Sequence, residues 1–241
     1  MSDRTSQMER LARYYLGYIA THLICLGVDS GLFAGLAAHE EGAEAKELAH
    51  ELGFNARYVE HFLRAALALE LLDHNPSTGR YRLASYMDTL LAEPENHSYM
   101  GKLAHLYIIA SRDFKRMREL LKTGDTYTFQ EHDEDFIEAV ADSTTGIAGF
   151  IADTVVPSLP GLGGRGDVAA LDLGCGAGGT VVALAKAFPR GRVVGVDVEP
   201  RSVEKANARI RAAGLEGRAE AQLAAAEDVS ERGTFDLVTL V

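Results

Sequence analysis

The sequence predicts a helical, winged-helix-like domain followed by a parallel α/β domain. Three observations carry this expectation. Apolar residues recur at helical spacing through the first part of the chain, a short turn-rich hairpin closes that part, and strands alternate with helices after a Pro/Gly linker. Division at 1–97, 98–160 and 161–241 is expected, the middle part being a helical connector. A chain of 241 residues has room for two such domains.

Residues 8–38 repeat Leu11, Tyr14, Tyr15, Tyr18, Ile19, Leu23, Leu26 and Leu32 at three- and four-residue steps, and Gly27 and Gly31 are expected to break the run. A short helix ends at Gly53. Asn55 caps the next, whose inner face carries Val59, Phe62, Leu63, Ala66 and Leu69. The turn cluster Asn75–Gly79 then joins two short alternating strands. Two short helices and a hairpin is the order of a winged helix.

Two longer helices are expected over 98–123 and 134–158. Pro157, Pro160 and the glycines up to Gly166 mark a linker. Strands follow at 167–173, 192–198, 219–225 and 235–241, with helices at 180–188 and 200–214. This alternation implies parallel pairing with helices on both faces.

The formal net charge of −11 disfavours nucleic acid as a partner, and equally an anionic membrane surface. Residues 44–83 carry five Lys/Arg against six Asp/Glu, so the winged helix is a poor phosphate reader. Two distant cysteines, no run of 18 apolar residues and a polar N-terminus give the expectation of a cytoplasmic protein without a membrane span.

The segment with most chemical content is Leu171-Asp172-Leu173-Gly174-Cys175-Gly176-Ala177-Gly178-Gly179, set between a strand and a helix. Glycines there let the backbone approach a ligand at the positive end of a helix. Asp197 stands near the end of the next strand, where a carboxylate can accept hydrogen bonds from ribose hydroxyls; capping of the helix at Pro200 is the competing role. Gly174, Gly176 and Gly179 also satisfy the dinucleotide pattern, but Asp172 would repel a pyrophosphate while suiting the ammonium of S-adenosylmethionine (SAM). SAM is therefore the expected cofactor.

LDLGCGAGG followed by VVGVDVEP resembles the glycine motif and acidic-loop motif of class I SAM-dependent methyltransferases. AAAEDVSERGTFDLVTLV resembles their adenine-contact loop and fourth strand. Residues 1–160 resemble more loosely the winged-helix dimerisation region that precedes the Rossmann-like catalytic domain in many small-molecule methyltransferases. The resemblance implies that Asp172, Gly174, Cys175, Gly176 and Gly178 surround the methionine part of SAM. Asp197 would hold the ribose, Val198 would pack on the adenine, and Glu227 and Asp228 would lie near the adenine amino group, although Ala225 stands where the family often has an acid. It also implies a small-molecule methyl acceptor and a homodimer formed through the N-terminal domain.

The family's catalytic domain has seven strands, whereas this sequence stops at Val241 within what resembles the fourth. An incomplete domain is therefore expected, with a longer natural chain or a partner chain completing the sheet; a non-catalytic SAM-binding subunit or an inactive fragment is the alternative function. No catalytic base is assigned. Cys175 is read as a packing residue, and residues 131–135 as a helix start in preference to a metal site, no metal being expected. His105 and Tyr107 fall where similar enzymes line the acceptor pocket, but a buried helical surface explains them equally well.

Overall fold

The computed structural model describes residues 3–94, 96–229 and 233–241. It divides into two compact units, Met1–Lys115 and Arg116–Val241.

The first unit opens with α1 (Arg4–Asp29), which starts where the Asp3 carboxylate accepts the Ser6 N–H at 2.8 Å. Gly27 does not break this helix. Its missing Cβ instead makes room for the rings of Phe33 and Phe62. The break falls at Gly31, whose left-handed φ of 72° starts α2 (Leu32–Ala37). Next come α3 (Ala45–Leu52), stopped by Gly53, and α4 (Ala56–Ala68), capped by Asn55 through the Arg57 N–H. Val59, Phe62, Leu63 and Ala66 of α4 are buried against Phe33, Leu36 and Leu48, while Leu69 ends the helix half-buried.

The hairpin pairs β1 (Leu72–Asn75) with β2 (Arg80–Leu83) in antiparallel register, Leu72 opposite Leu83. Buried Tyr81 ties it to the helices, donating its hydroxyl hydrogen to Glu60 at 3.0 Å. A short α5 (Met87–Leu91) follows, and α6 (Gly101–Ala110) packs along α1.

The stretch expected as a separate connector is shared between the units. α6 belongs to the first, α7 (Phe114–Thr123) straddles the boundary, and α8 (Glu134–Ser143) belongs to the second. Each expected long helix is interrupted, one by a tight 3₁₀ turn at Ser111–Asp113 and the other at Thr144. Beyond Thr144, α9 (Thr145–Phe150) runs through a π-helical turn (Ile151–Val155) into α10 (Val156–Ser158).

Four parallel strands organise the second unit: β3 (Ala170–Leu173), β4 (Val193–Asp197), β5 (Ala219–Leu223) and β6 (Leu237–Leu240), in the spatial order β5-β4-β3-β6. α11 (Gly179–Ala187) links β3 to β4, and α12 (Pro200–Ala212) links β4 to β5. Both connections step the same way across the sheet, so right-handed crossovers put both helices on one face. Their core holds Val168, Ala170, Val181, Leu184, Phe188 and Ile210. The expectation of helices on both faces does not hold among the described residues. Leu171, Val194 and Val196 on the other face are packed by Leu173, Ala224, Val229 and Phe235 instead. β6 is an outer strand, and Leu240 on it is 79% exposed.

Candidate functional site

The strand order places a switch point at β3. The chain proceeds from β3 to β4 and β5 on one side, whereas β6 lies on the other. Connections diverge there, and crevices form outside the carboxyl ends of such strands.

The glycine loop leaves β3 at this point. Gly174, Gly176 and Gly178 have φ of +67°, +51° and +76°, values that side chains rarely adopt. At Gly178 a Cβ would also lie 2.8 Å from the Cβ of Ala206, so this position holds the start of α11 close to α12. The Cys175 N–H donates to the Val196 carbonyl at 2.9 Å, laying the loop across β4. Gly195 permits this, because a Cβ there would stand 2.7 Å from the Cys175 sulfur. Burial, together with the charges of Asp197 and Asp172, pushes the Cys175 thiol up to about 12, so it stays protonated and packs.

Asp197 closes the loop from the other side. One carboxylate oxygen accepts the Gly176 N–H and the other the Glu199 N–H, both at 2.8 Å. The cap of α12 is Glu199, which accepts the Arg201 N–H at 3.1 Å, and the capping alternative for Asp197 therefore falls. A carboxylate has about four acceptor positions, so Asp197 keeps capacity for further donors. Arg201 bonds the buried Glu199 through Nε at 2.7 Å, which holds the Glu199 carboxyl below its ordinary range. The same guanidinium donates to the carbonyls of Gln130 and His132, fastening that loop to α12.

Asp172 is only 2% exposed. Burial raises its carboxyl from an ordinary 3.8 to about 6; the charge of Asp197 adds to the rise, and the Thr239 hydroxyl, donating at 2.6 Å, opposes it. Asp172 faces a cavity of about 90 Å³ between α8, the glycine loop and the starts of α11 and α12. Gly174, Cys175 and Gly176 line it, with Phe129 and Ile137 on the apolar side and Arg209 at the edge. Among the described residues Arg209 is the one basic group lining the cavity, and its guanidinium has no hydrogen bond or ion pair to another of them. One buried carboxylate and one available guanidinium thus share a crevice at a helix start, an arrangement complementary to an amino-acid zwitterion.

Val198 follows β4 and is 53% exposed. Glu227 and Asp228 are exposed in the 3₁₀ turn Ala226–Asp228 and do not line the cavity. Residues 230–232, part of the segment read as the adenine-contact loop, lie outside the described residues. Asp133 caps α8 through the Phe136 N–H at 3.0 Å, and Glu131 accepts the Thr128 N–H at 2.7 Å, so acids around 131–135 shape a helix start. His105 and Tyr107 do not form a buried helical surface: the His105 side chain is 42% exposed and Tyr107 60%.

Residues 170–241 match a family described as a methyltransferase domain, and residues 4–92 match an Rv2258c-like winged HTH domain. The first part of the chain is thus similar to a winged helix-turn-helix domain and the last part to a methyltransferase domain. Solved structures agree at the level of fold. An O-methyltransferase family protein from Burkholderia thailandensis is 20% identical, with a TM-score of 0.64 over 92% of this chain and 64% of its own. Mitomycin 7-O-methyltransferase is 20% identical, with 0.65 over 90% and 65%, and human N-acetylserotonin methyltransferase, solved with SAM, is 17% identical, with 0.62 over 92% and 66%. The chain therefore spans about two thirds of the length of these neighbours. No curated protein matches it.

The geometry of the site also involves residues that sequence reasoning did not single out: Thr239, Gly195, Glu199, Arg201 and Arg209. Only Gly195 carried a local signal, since a glycine inside an apolar strand suggests close approach of another segment.

Proposed function

We propose that this chain acts as a SAM-dependent methyltransferase on a small-molecule acceptor. The observation that carries the reading is that Asp172 and Arg209 both line one cavity beside the glycine loop. In this reading Asp172 receives the ammonium and Arg209 the carboxylate of the methionine part. The backbone at Gly174, Cys175, Gly176 and Gly178 approaches it closely. Asp197 accepts the ribose hydroxyls, Val198 offers an apolar face to the adenine, and Glu227 and Asp228 lie on the adenine side. Bound there, SAM supplies an electrophilic methyl group for in-line displacement by the acceptor. The protein's own contribution is alignment and exclusion of water. A small-molecule acceptor is supported by the fold likeness to mitomycin and N-acetylserotonin methyltransferases.

Titration calorimetry with SAM, S-adenosylhomocysteine and NAD tests the cofactor. We expect the first two to bind and NAD to bind far more weakly; NAD binding without SAM binding would end this reading. A methyl-transfer assay on a panel of hydroxylated and aminated small molecules tests the activity. A second reading, a SAM-binding module completed by another chain, is favoured by the exposed outer strand β6. Cofactor binding without transfer, with activity regained on adding a partner, would select it.

We also propose a homodimer formed through the first unit. Met8, Leu11, Tyr15 and Ile19 of α1 stand at helical spacing and are each at least 50% exposed, an apolar stripe suited to a second copy of the same helix.

A further inference from the structure

Away from the cofactor crevice, the first unit brings a thiol, a carboxylate and an imidazole together. Cys25 and Asp29 stand four residues apart on the last turns of α1, hence on one face, and His105 reaches them from α6. Their ligating atoms are 3.2 Å (Cys25 Sγ to Asp29 Oδ2), 3.4 Å (Asp29 Oδ2 to His105 Nδ1) and 3.8 Å (Cys25 Sγ to His105 Nδ1) apart. A tetrahedral zinc ion, with its sulfur ligand at about 2.3 Å and nitrogen or oxygen ligands at about 2.0–2.1 Å, separates neighbouring ligand atoms by about 3.3–3.6 Å. The three observed edges bracket that triangle. We propose that Cys25, Asp29 and His105 form a three-ligand zinc site with one position open to water.

Two further features fit. Cys25 is buried, while the side chains of Asp29 and His105 are 43% and 42% exposed, so solvent can supply both the ion and the fourth ligand. Sulfur, nitrogen and oxygen donors together suit a borderline-soft ion in preference to magnesium or calcium. Without an ion, burial and the neighbouring Asp29 push the Cys25 thiol up to about 11, against a smaller opposing effect of Lys102. A divalent cation reverses that balance: the S–H bond breaks, a Zn–S bond forms, and the proton leaves to solvent. A second group, His39, Glu47 and Glu51, is more easily accounted for without a metal. It lacks sulfur, His39 pairs with Glu51 at 2.9 Å, and Arg80 occupies Glu47 at 3.2 Å.

The test uses the full chain, stripped with a chelator and titrated first with Co²⁺ and then with Zn²⁺. We expect one equivalent of Co²⁺ to give a thiolate-to-cobalt charge-transfer band with the visible bands of tetrahedral coordination, abolished when Zn²⁺ displaces it. Cys25→Ser should remove the charge-transfer band, and both it and His105→Gln should weaken Zn²⁺ at least about a hundred-fold, the upper range for losing a mere supporting partner. Cys175→Ser and His39→Gln should leave both readings unchanged. The proposal is overturned by absence of the band in the unaltered protein, or by its persistence in Cys25→Ser. Should Cys25→Ser fail to fold, unchanged Zn²⁺ affinity in His105→Gln, at its more exposed position, overturns it instead.

Discussion

Asp172 bears the largest conflict between stability and use. A buried carboxyl raised from 3.8 to about 6 means that the folded state binds more protons than the unfolded state between those values. Stability is therefore lost as pH rises through that window, on the order of 3 kcal/mol by the time the group is fully ionised. Asp172→Asn keeps an acceptor for Thr239 and should raise the thermal midpoint at neutral pH, by about 1–2 kcal/mol of stability, while weakening SAM binding. In the unaltered protein, SAM affinity should fall about tenfold per pH unit below about 6, since the ammonium selects the ionised carboxylate. A pH-independent affinity between 5 and 7 would take Asp172 out of the ammonium site. Asp197 behaves differently. Its carboxylate already accepts two backbone N–H groups, so Asp197→Ala should lower both the ligand-free midpoint, by about 1–3 kcal/mol, and SAM affinity, by roughly ten- to a few hundred-fold. Calorimetry beside a melting curve separates the two losses, and an unchanged affinity would remove Asp197 from the ribose role.

At the scale of elements, the glycine loop and α1 make opposite demands. The loop must lie close to its neighbours: Gly178 starts α11 in the left-handed region and abuts Ala206 of α12. Gly178→Ala should cost about 1–3 kcal/mol of stability, from the αL penalty and the displaced helix contact, and it should weaken SAM binding as the loop shifts. Equal midpoints by calorimetric scanning would show that the loop relaxes freely. By contrast, α1 leaves an apolar stripe uncovered. Leu11→Glu combined with Ile19→Glu should turn a dimer into a monomer in sedimentation velocity, because charges replace apolar contacts on one face. If that double variant sediments as the unaltered protein does, the dimer uses another surface.

At the scale of the whole molecule, two compact units imply separable behaviour. S-adenosylhomocysteine should slow hydrogen exchange in the glycine loop, in α8 and at the end of β4, and leave the amides of α3, α4 and the hairpin unchanged. Protection spread evenly over both units would show that they respond to the cofactor as one.

Much of this molecule was legible from local chemistry. The caps at Asn55 and Gly53, the hairpin turn and the strand-loop-helix around Gly174 depend on neighbours only a few residues away, and the matches to both domain families agree with the domain order. Other features depended on contacts between distant segments. Gly27 stands inside a helix, where its missing Cβ lets Phe33 and Phe62 fold back onto it. α11 and α12 came to share one face because of the strand order. Thr239 met Asp172 only once β6 paired beside β3, and Arg209 reached the crevice only because α12 lies against the loop. The meeting of Cys25, Asp29 and His105 is of the same kind, since Cys25 and His105 are 80 residues apart and no spacing rule links them. Sequence by itself determined which segments carry which chemistry, through propensity and periodicity. Tertiary structure decided which of those groups meet, because burial, charge and hydrogen bonding act on neighbours in space.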